Sequence, residues 1–214
     1  MKFNTIIFIG PQGSGKGTQA KMLSDKTGAI VIETGELCRE AAKQNTPFGQ
    51  HIKELVDNGV LVSDEDIQHL VHEKLSQLAG DVSVIFDGIP RRQGQAVFLF
   101  ENLEEVGRKD IATIYVTLPR EESLKRLQTR RICESCKTPA IFSGDEKQAC
   151  AKCGGKLVTR ADDNAEAINK RLDMYQQETT PVLDFLRQNS QFFEINGNQP
   201  IEKVSSEINN SLGV

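Results

Sequence analysis

An α/β fold, a doubly wound sheet of five parallel strands interrupted by two insertions, is predicted from three observations. Strand-sized apolar runs alternate with helical patterns along the chain, and that alternation implies parallel pairing. A glycine-rich loop ending in Lys16 stands between the first apolar run and the first helical pattern. Two segments, residues 34–62 and 131–159, interrupt the alternation and look like insertions, the second with little periodic apolar content.

The first strand is predicted over residues 2–9, an apolar run ending at Gly10, and the following helix over 15–27, with Ala20 and Leu23 on one face. Further strands are predicted at 29–32, 82–86, 111–118 and 191–195, rich in β-branched and aromatic residues. Helical patterns cover 63–79 and 120–129. Ser63 with Asp66 three residues later forms an N-cap signature, and Pro200 precedes the amphipathic stretch 201–212. The long helical pattern 163–188 should kink or break near Pro181, which has no N–H to donate. The insertion at 34–62 is helical and polar, broken at Pro47 and Gly59. The insertion at 131–159 cannot fold around its own apolar residues and needs a staple.

The 214 residues, 38% hydrophobic and 26% charged, fit one globular domain carrying such insertions. Apolar runs such as 6–9 and 82–86 are far shorter than the roughly 18–20 residues of a membrane helix. No secretory signal is visible in the first residues, so a cytoplasmic location is expected. A net charge of −4 argues against nucleic acid or a membrane surface as partner. Any anionic ligand must therefore be met by local positive charge.

Gly10-Pro-Gln-Gly-Ser-Gly-Lys-Gly-Thr18 directly follows a strand and opens a helix, the context of a phosphate-binding loop. The backbone N–H groups of Gly13, Ser14, Gly15 and Lys16 would ring a phosphate at the positive end of the helix dipole. The Lys16 side chain would add a full charge. Gly17 stands where the usual pattern has Ser or Thr, and Thr18 comes one place late. Asp87 ends an apolar strand at the sheet edge where open α/β folds bind ligands, and its carboxylate would hold water ligands of Mg²⁺.

Cys133, Cys136, Cys150 and Cys153 form two Cys-x-x-Cys pairs within 21 residues. In a reducing compartment this spacing is read as a metal site before disulfides, and four thiolates make a closed, structural Zn²⁺ site. Cys38 is expected to be a packed thiol, and His69 and His72 a solvated helix face rather than ligands.

Gly-Lys-Gly-Thr18 looks like the phosphate loop of adenylate kinases and their nucleoside monophosphate kinase relatives, and the resemblance covers the whole chain, from Lys2 to the C-terminal helix. Thr34-Gly-Glu-Leu-Cys-Arg39, Gly59-Val-Leu-Val-Ser-Asp64, Asp87-Gly-Ile-Pro-Arg91 with Gln95, Arg126 and Arg130, and Arg160-Ala-Asp-Asp163 with Arg171 are similar to that family's motifs in its order. The resemblance implies a P-loop core at 1–32, 63–130 and 161–214, an acceptor-binding insertion at 33–62, and a zinc-bound lid at 131–160. It implies transfer of the terminal phosphate of Mg-ATP to AMP, giving two ADP, by a monomer. A kinase for GMP, UMP or CMP, or a catalytically silent nucleotide-binding or zinc-ribbon protein, is the alternative.

By the same resemblance, Gly13, Ser14, Gly15, Lys16, Gly17, Thr18 and Arg126 face ATP. Thr34, Arg39, Val62, Gly88, Arg91, Gln95, Arg160 and Arg171 face AMP, with Thr34 and Gln95 at the base. Lys16, Asp87, Arg91, Arg126, Arg130, Arg160 and Arg171 form the catalytic set. The chemistry agrees with that assignment, since joining two nucleotide anions demands several fixed cations and little covalent work. Two departures concern the lid: only 13 residues separate the cysteine pairs, and the family's Tyr-His after the first pair is missing.

Overall fold

The structure, a computed structural model, describes residues 2–58, 62–136, 139–141, 149–159 and 164–214. Along these residues run strands β1 (Thr5–Ile9), β2 (Ile30–Glu33), β3 (Val84–Asp87), β4 (Ile111–Thr117), β5 (Arg130–Cys133), β6 (Pro139–Ile141), β7 (Leu157–Val158) and β8 (Gln191–Asn196). Five of them form a parallel sheet in the order β2-β3-β1-β4-β8, as the alternating pattern predicts.

Strand β1 is buried along its whole length because both faces of the sheet are covered. Its side chains divide by the two-residue period: Ile7 and Ile9 enter one apolar cluster, Ile6 and Phe8 the other. The helices are α1 (Lys16–Thr27), α2 (Thr34–Ala41), α3 (Pro47–Asp57), α4 (Asp64–Ser76), α5 (Gln93–Glu105), α6 (Arg120–Thr129), α7 (Ala165–Met174), α8 (Val182–Asn189) and α9 (Ile201–Leu212); α6 and α7 meet in a cluster of their own at Leu127, Ile168 and Leu172, and the others supply the covering layers. On the Ile7 side the cluster takes in Ile52, Val71, Leu99 and Leu186 from α3, α4, α5 and α8; on the Ile6 side it takes in Leu23 and Ile208 from α1 and α9.

Local signals in the sequence explain several boundaries. Ser63 caps α4, its Oγ accepting from Asp66 N at 3.1 Å. Thr46 caps α3, accepting from Gly49 N at 3.0 Å, with Pro47 at the first helical position where no donor is needed. Pro200 is itself the N-cap residue of α9, one place outside the first turn. The long pattern 163–188 breaks earlier than Pro181: after Met174 the chain widens into a π-helical turn, Tyr175–Thr179, in which Thr180 N donates to Tyr175 O at 2.9 Å. Proline clashes with the carbonyl four residues before it, Gln177, so the distortion is placed upstream of the proline.

The amino edge of the sheet is locked by a single side chain. Arg108 is 2% exposed and donates to the carbonyls of Asn4 (3.1 Å), Val82 (2.7 Å) and Ala79 (3.1 Å). This satisfies carbonyls that precede β1 and β3, and leaves the opposite, carboxyl edge to carry chemistry. Strands β5, β6 and β7 form a separate antiparallel sheet in the order β6-β5-β7, with β5 continuing directly from the end of α6. Gly59 of the acceptor-side motif, Phe142 and Arg160-Ala-Asp-Asp163 lie outside the described residues.

Candidate functional site

The carboxyl ends of β1, β2 and β3 gather the loop and most of the charged residues singled out in the sequence. Strand β1 runs into the glycine loop, and α1 starts at Lys16 with Gly15 as N-cap at φ 91° and no side-chain cap. The first N–H groups of a helix have no carbonyl in a preceding turn, so this terminus presents unpaired donors and the positive dipole end together. Among the described residues, Ser14 Oγ and Gln12 Oε1 are buried in the same loop without a hydrogen-bond partner, which leaves polar atoms for a ligand to meet.

Lys16 Nζ donates to Pro11 O at 3.3 Å, which folds the side chain back over the loop. Loss of hydration pushes its ammonium below the usual lysine value; the Asp87 carboxylate opposes that shift, and Arg91 and Arg130 add to it. Lys16 keeps part of its surface open, so the desolvation comes from the dense protein around the cleft rather than from full enclosure. Asp87 closes β3 and lies in register with Glu33 at the end of β2.

Gly17 faces that carboxylate. A Cβ at position 17 would stand 2.9 Å from Asp87 Oδ2, so Ser or Thr there would fill the gap between loop and carboxylate. Thr18 follows in the first turn of α1.

Arg91 stands exposed along the cleft, its Nε donating to Gly88 O at 2.7 Å. Desolvation lowers its pKa, Asp87 and Glu33 oppose the shift, and Arg92 and Arg171 reinforce it. Arg39 lies 3.9 Å from Glu33 across the start of α2. Lys16, Arg39, Arg91, Arg130 and Arg171 thus share one electrostatic neighbourhood with two carboxylates, Asp87 and Glu33. Positive charge in excess, with the pKa values of Lys16 and Arg91 lowered, suits a site that takes polyanions.

The remaining predicted residues take varied positions. Thr34 opens α2 and abuts Gly88, whose φ is 87°. Val62 packs half-buried against the main core. Gln95 is buried, and its amide is engaged inside the protein: Nε2 donates to Asp64 Oδ1 at 2.7 Å and Oε1 accepts from Arg91 N at 2.8 Å. Arg126 is clamped rather than extended, donating to Glu122 Oε1 (3.0 Å), Gly197 O (3.1 Å) and Gly13 O (3.5 Å). It therefore ties the glycine loop to the turn after β8. Arg171 projects from α7 and donates to Ala167 O at 3.3 Å. Arg92 and Glu178 went unnoticed in the sequence, and Asp64 stood there only as the end of the motif at 59–64, because their pairings span 28 and 86 residues and leave no local pattern.

The lid cysteines converge. The four sulfurs lie within 4.8 Å of one another, with Cys133–Cys153 and Cys136–Cys150 each at 3.5 Å. All four are free thiols, far from the roughly 2.05 Å of a disulfide and near the spacing of about 3.8 Å that tetrahedral ligation at about 2.3 Å requires. The Cys136 N–H donates to Cys133 Sγ at 3.5 Å and holds that thiol below its usual pKa, favouring the thiolate a metal needs. Gly155 lets the second turn close over the first, since a Cβ there would meet Cys133 Sγ at 2.9 Å. The donor set fits Zn²⁺. Among the described residues it is the one group of this kind; His69 instead packs edge-on against Phe48 (4.8 Å between centroids) and His72 pairs with Asn102. A hollow of about 320 Å³ between α4 and α5 shares no residue with the glycine loop.

Comparison with known proteins agrees with this geometry. The family model described as adenylate kinase matches residues 8–191. An adenylate kinase of Archaeoglobus fulgidus is 41% identical over 95% of both chains. Adenylate kinases of Petrotoga mobilis and Carboxydothermus hydrogenoformans are each 36% identical, covering 97% of this chain and 96% and 98% of their own.

Proposed function

The chain belongs to the adenylate kinase family, and from that premise we propose that it moves the terminal phosphate of Mg-ATP to AMP, giving two ADP. One observation carries the reading: Lys16, Asp87, Arg91, Arg130 and Arg171 meet at the carboxyl edge of the sheet around an uncapped helix terminus. The glycine loop with Lys16 would hold the β- and γ-phosphates, and Arg126 would serve the ATP side by fixing that loop. Arg39 and Arg91 would bind the acceptor phosphate, near Thr34, Val62, Gly88 and Gln95. Arg130, Arg171 and, outside the described residues, Arg160 would neutralise the transferring group. Mg²⁺ supplied with ATP offsets phosphate charge, and Asp87 is the carboxylate that would hold its water shell. Excluding water while these cations converge is the work of a lid at 131–160 closing against a core at 1–32, 63–130 and 161–214 and an insertion at 33–62. The acidic net charge of −4 favours action on small nucleotides rather than on nucleic acid or membranes, and the family resemblance favours a cytoplasmic monomer.

The division of labour has a kinetic signature. Arg39→Ala should raise KM for AMP by about tenfold with a small change in kcat, as expected for a lost charge-assisted contact present in the ground state. Arg130→Ala should instead lower kcat by about 10–10² with little change in either KM, since its contact forms as charge shifts in transfer. Equal losses in KM and kcat for both variants would reverse these roles. The acceptor is tested by supplying ATP·Mg²⁺ with AMP, GMP, CMP, UMP and dTMP in turn and measuring diphosphate formation. AMP should be the best substrate; a better acceptor among the others would keep the reaction type and refute AMP.

A further inference from the structure

Arg92 follows Arg91 at the N-cap of α5 and is not among the phosphate-facing residues above, yet its guanidinium joins three segments that carry them. Its Nε donates to Glu178 Oε2 at 2.7 Å, in the π-helical turn that continues α7, the helix of Arg171. Its Nη1 donates to Asp64 Oδ1 at 3.3 Å, at the first residue of α4, where the chain leaves the acceptor-side insertion. The same Asp64 oxygen accepts from Gln95, and Gln95 accepts from the backbone N–H of Arg91. A continuous polar chain therefore runs from Glu178 through Arg92, Asp64 and Gln95 to the backbone of Arg91. Only a planar, forked cation can hold two carboxylates on different elements in this way.

We propose that Arg92 is a positioning residue for the acceptor side of the site. It sets the spacing between the Gly88–Arg91 loop, the exit of the insertion at Asp64 and the helix that carries Arg171, while touching no substrate itself. This rests on the phosphotransferase reading and adds to it a residue that acts on one substrate only. The ion pairs are 33–43% exposed on all three partners, so each contributes little to global stability. Small displacements of a phosphate-binding arginine are costly to binding all the same. A change in AMP affinity without a matching change in melting is what separates positioning from a structural role.

The test compares wild type, Arg92→Ala, Arg92→Lys and Glu178→Gln in KM for AMP, KM for ATP, kcat and melting temperature, at low and high salt. Arg92→Ala should raise KM for AMP by about three- to tenfold, leave KM for ATP within about twofold, and shift melting by no more than about 2 °C. Arg92→Lys keeps the charge but reaches one carboxylate, and should fall between. Glu178→Gln should give part of the effect and add nothing to Arg92→Ala, the mark of a shared interaction. The ratio of variant to wild-type KM should shrink at high salt. An unchanged KM for AMP, an equal rise in both KM values, or additive Glu178→Gln and Arg92→Ala effects would overturn the proposal. A wild type that makes no ADP from AMP would overturn the phosphotransferase reading beneath it.

Discussion

Lys16→Ala should lower turnover by about 10²–10³ while leaving the melting temperature close to that of the wild type. Lys16 brings the one full charge within the glycine loop itself; the other donors there are backbone N–H groups and a hydroxyl. Its ammonium is already partly desolvated and only partly balanced by Asp87, so phosphate oxygens arriving beside it meet a cation short of counter-charge. Because among the described residues Lys16 makes a single side-chain hydrogen bond, to Pro11 O, truncation removes little that holds the fold. Steady-state kinetics with a thermal melt on the same sample checks both halves. Near-normal turnover in the folded variant would remove the phosphate-loop assignment.

The second large effect is expected at the lid. Cys150→Ser should abolish stoichiometric zinc and lower the temperature at which the lid unfolds by roughly 10 °C, since a closed four-thiolate site contributes its binding energy to folding. Among the described residues the apolar support there is small: Cys133, Cys150 and Leu157 are the buried members of its cluster, with Cys136 and Ala140 against them. A segment with so little to bury depends on the metal for shape. With four protein ligands no coordination position is left open, so the metal would act on structure and the arginines on phosphate. The variant should keep substantial activity at low temperature. Metal analysis of the wild type should return about one zinc per chain. A zinc-depleted protein that is folded yet inactive at low temperature would make the metal catalytic, and unchanged melting without metal would make it irrelevant.

The parallel sheet was legible because strands buried on both faces must be apolar throughout, and the β-branched runs Ile6–Ile9 and Val84–Phe86 are short and end near the turn glycines Gly10 and Gly88. Helix α5 was not legible in the same way. Ala96–Phe100 is an unbroken apolar run whose period cannot separate helix from strand; only its packing between α4 and α8 settles it. The small sheet β5–β7 is likewise hidden, because two- to four-residue strands held by paired thiols carry no hydrophobic period. In the site, motif spacing pointed to the residues but not to their partners. Gln95 stands four residues after Arg91 as the family motif has it, yet that its amide holds Asp64 and the Arg91 backbone depends on a contact across 31 positions. Arg126 with Glu122 was readable as an i, i+4 pair, whereas its hold on Gly13 and Gly197 was not.

Direct transfer between two nucleotides held in one cleft is tested most closely by following γ-labelled ATP·Mg²⁺ in rapid mixing, with and without AMP. Lysine and arginines that only position and neutralise should pass the label straight to AMP. The expected result is two ADP for each ATP and AMP consumed, label in the β-phosphate of the ADP made from AMP, and neither labelled protein nor released phosphate when AMP is omitted. Label trapped on the protein, or inorganic phosphate formed from ATP alone at a comparable rate, would contradict direct transfer.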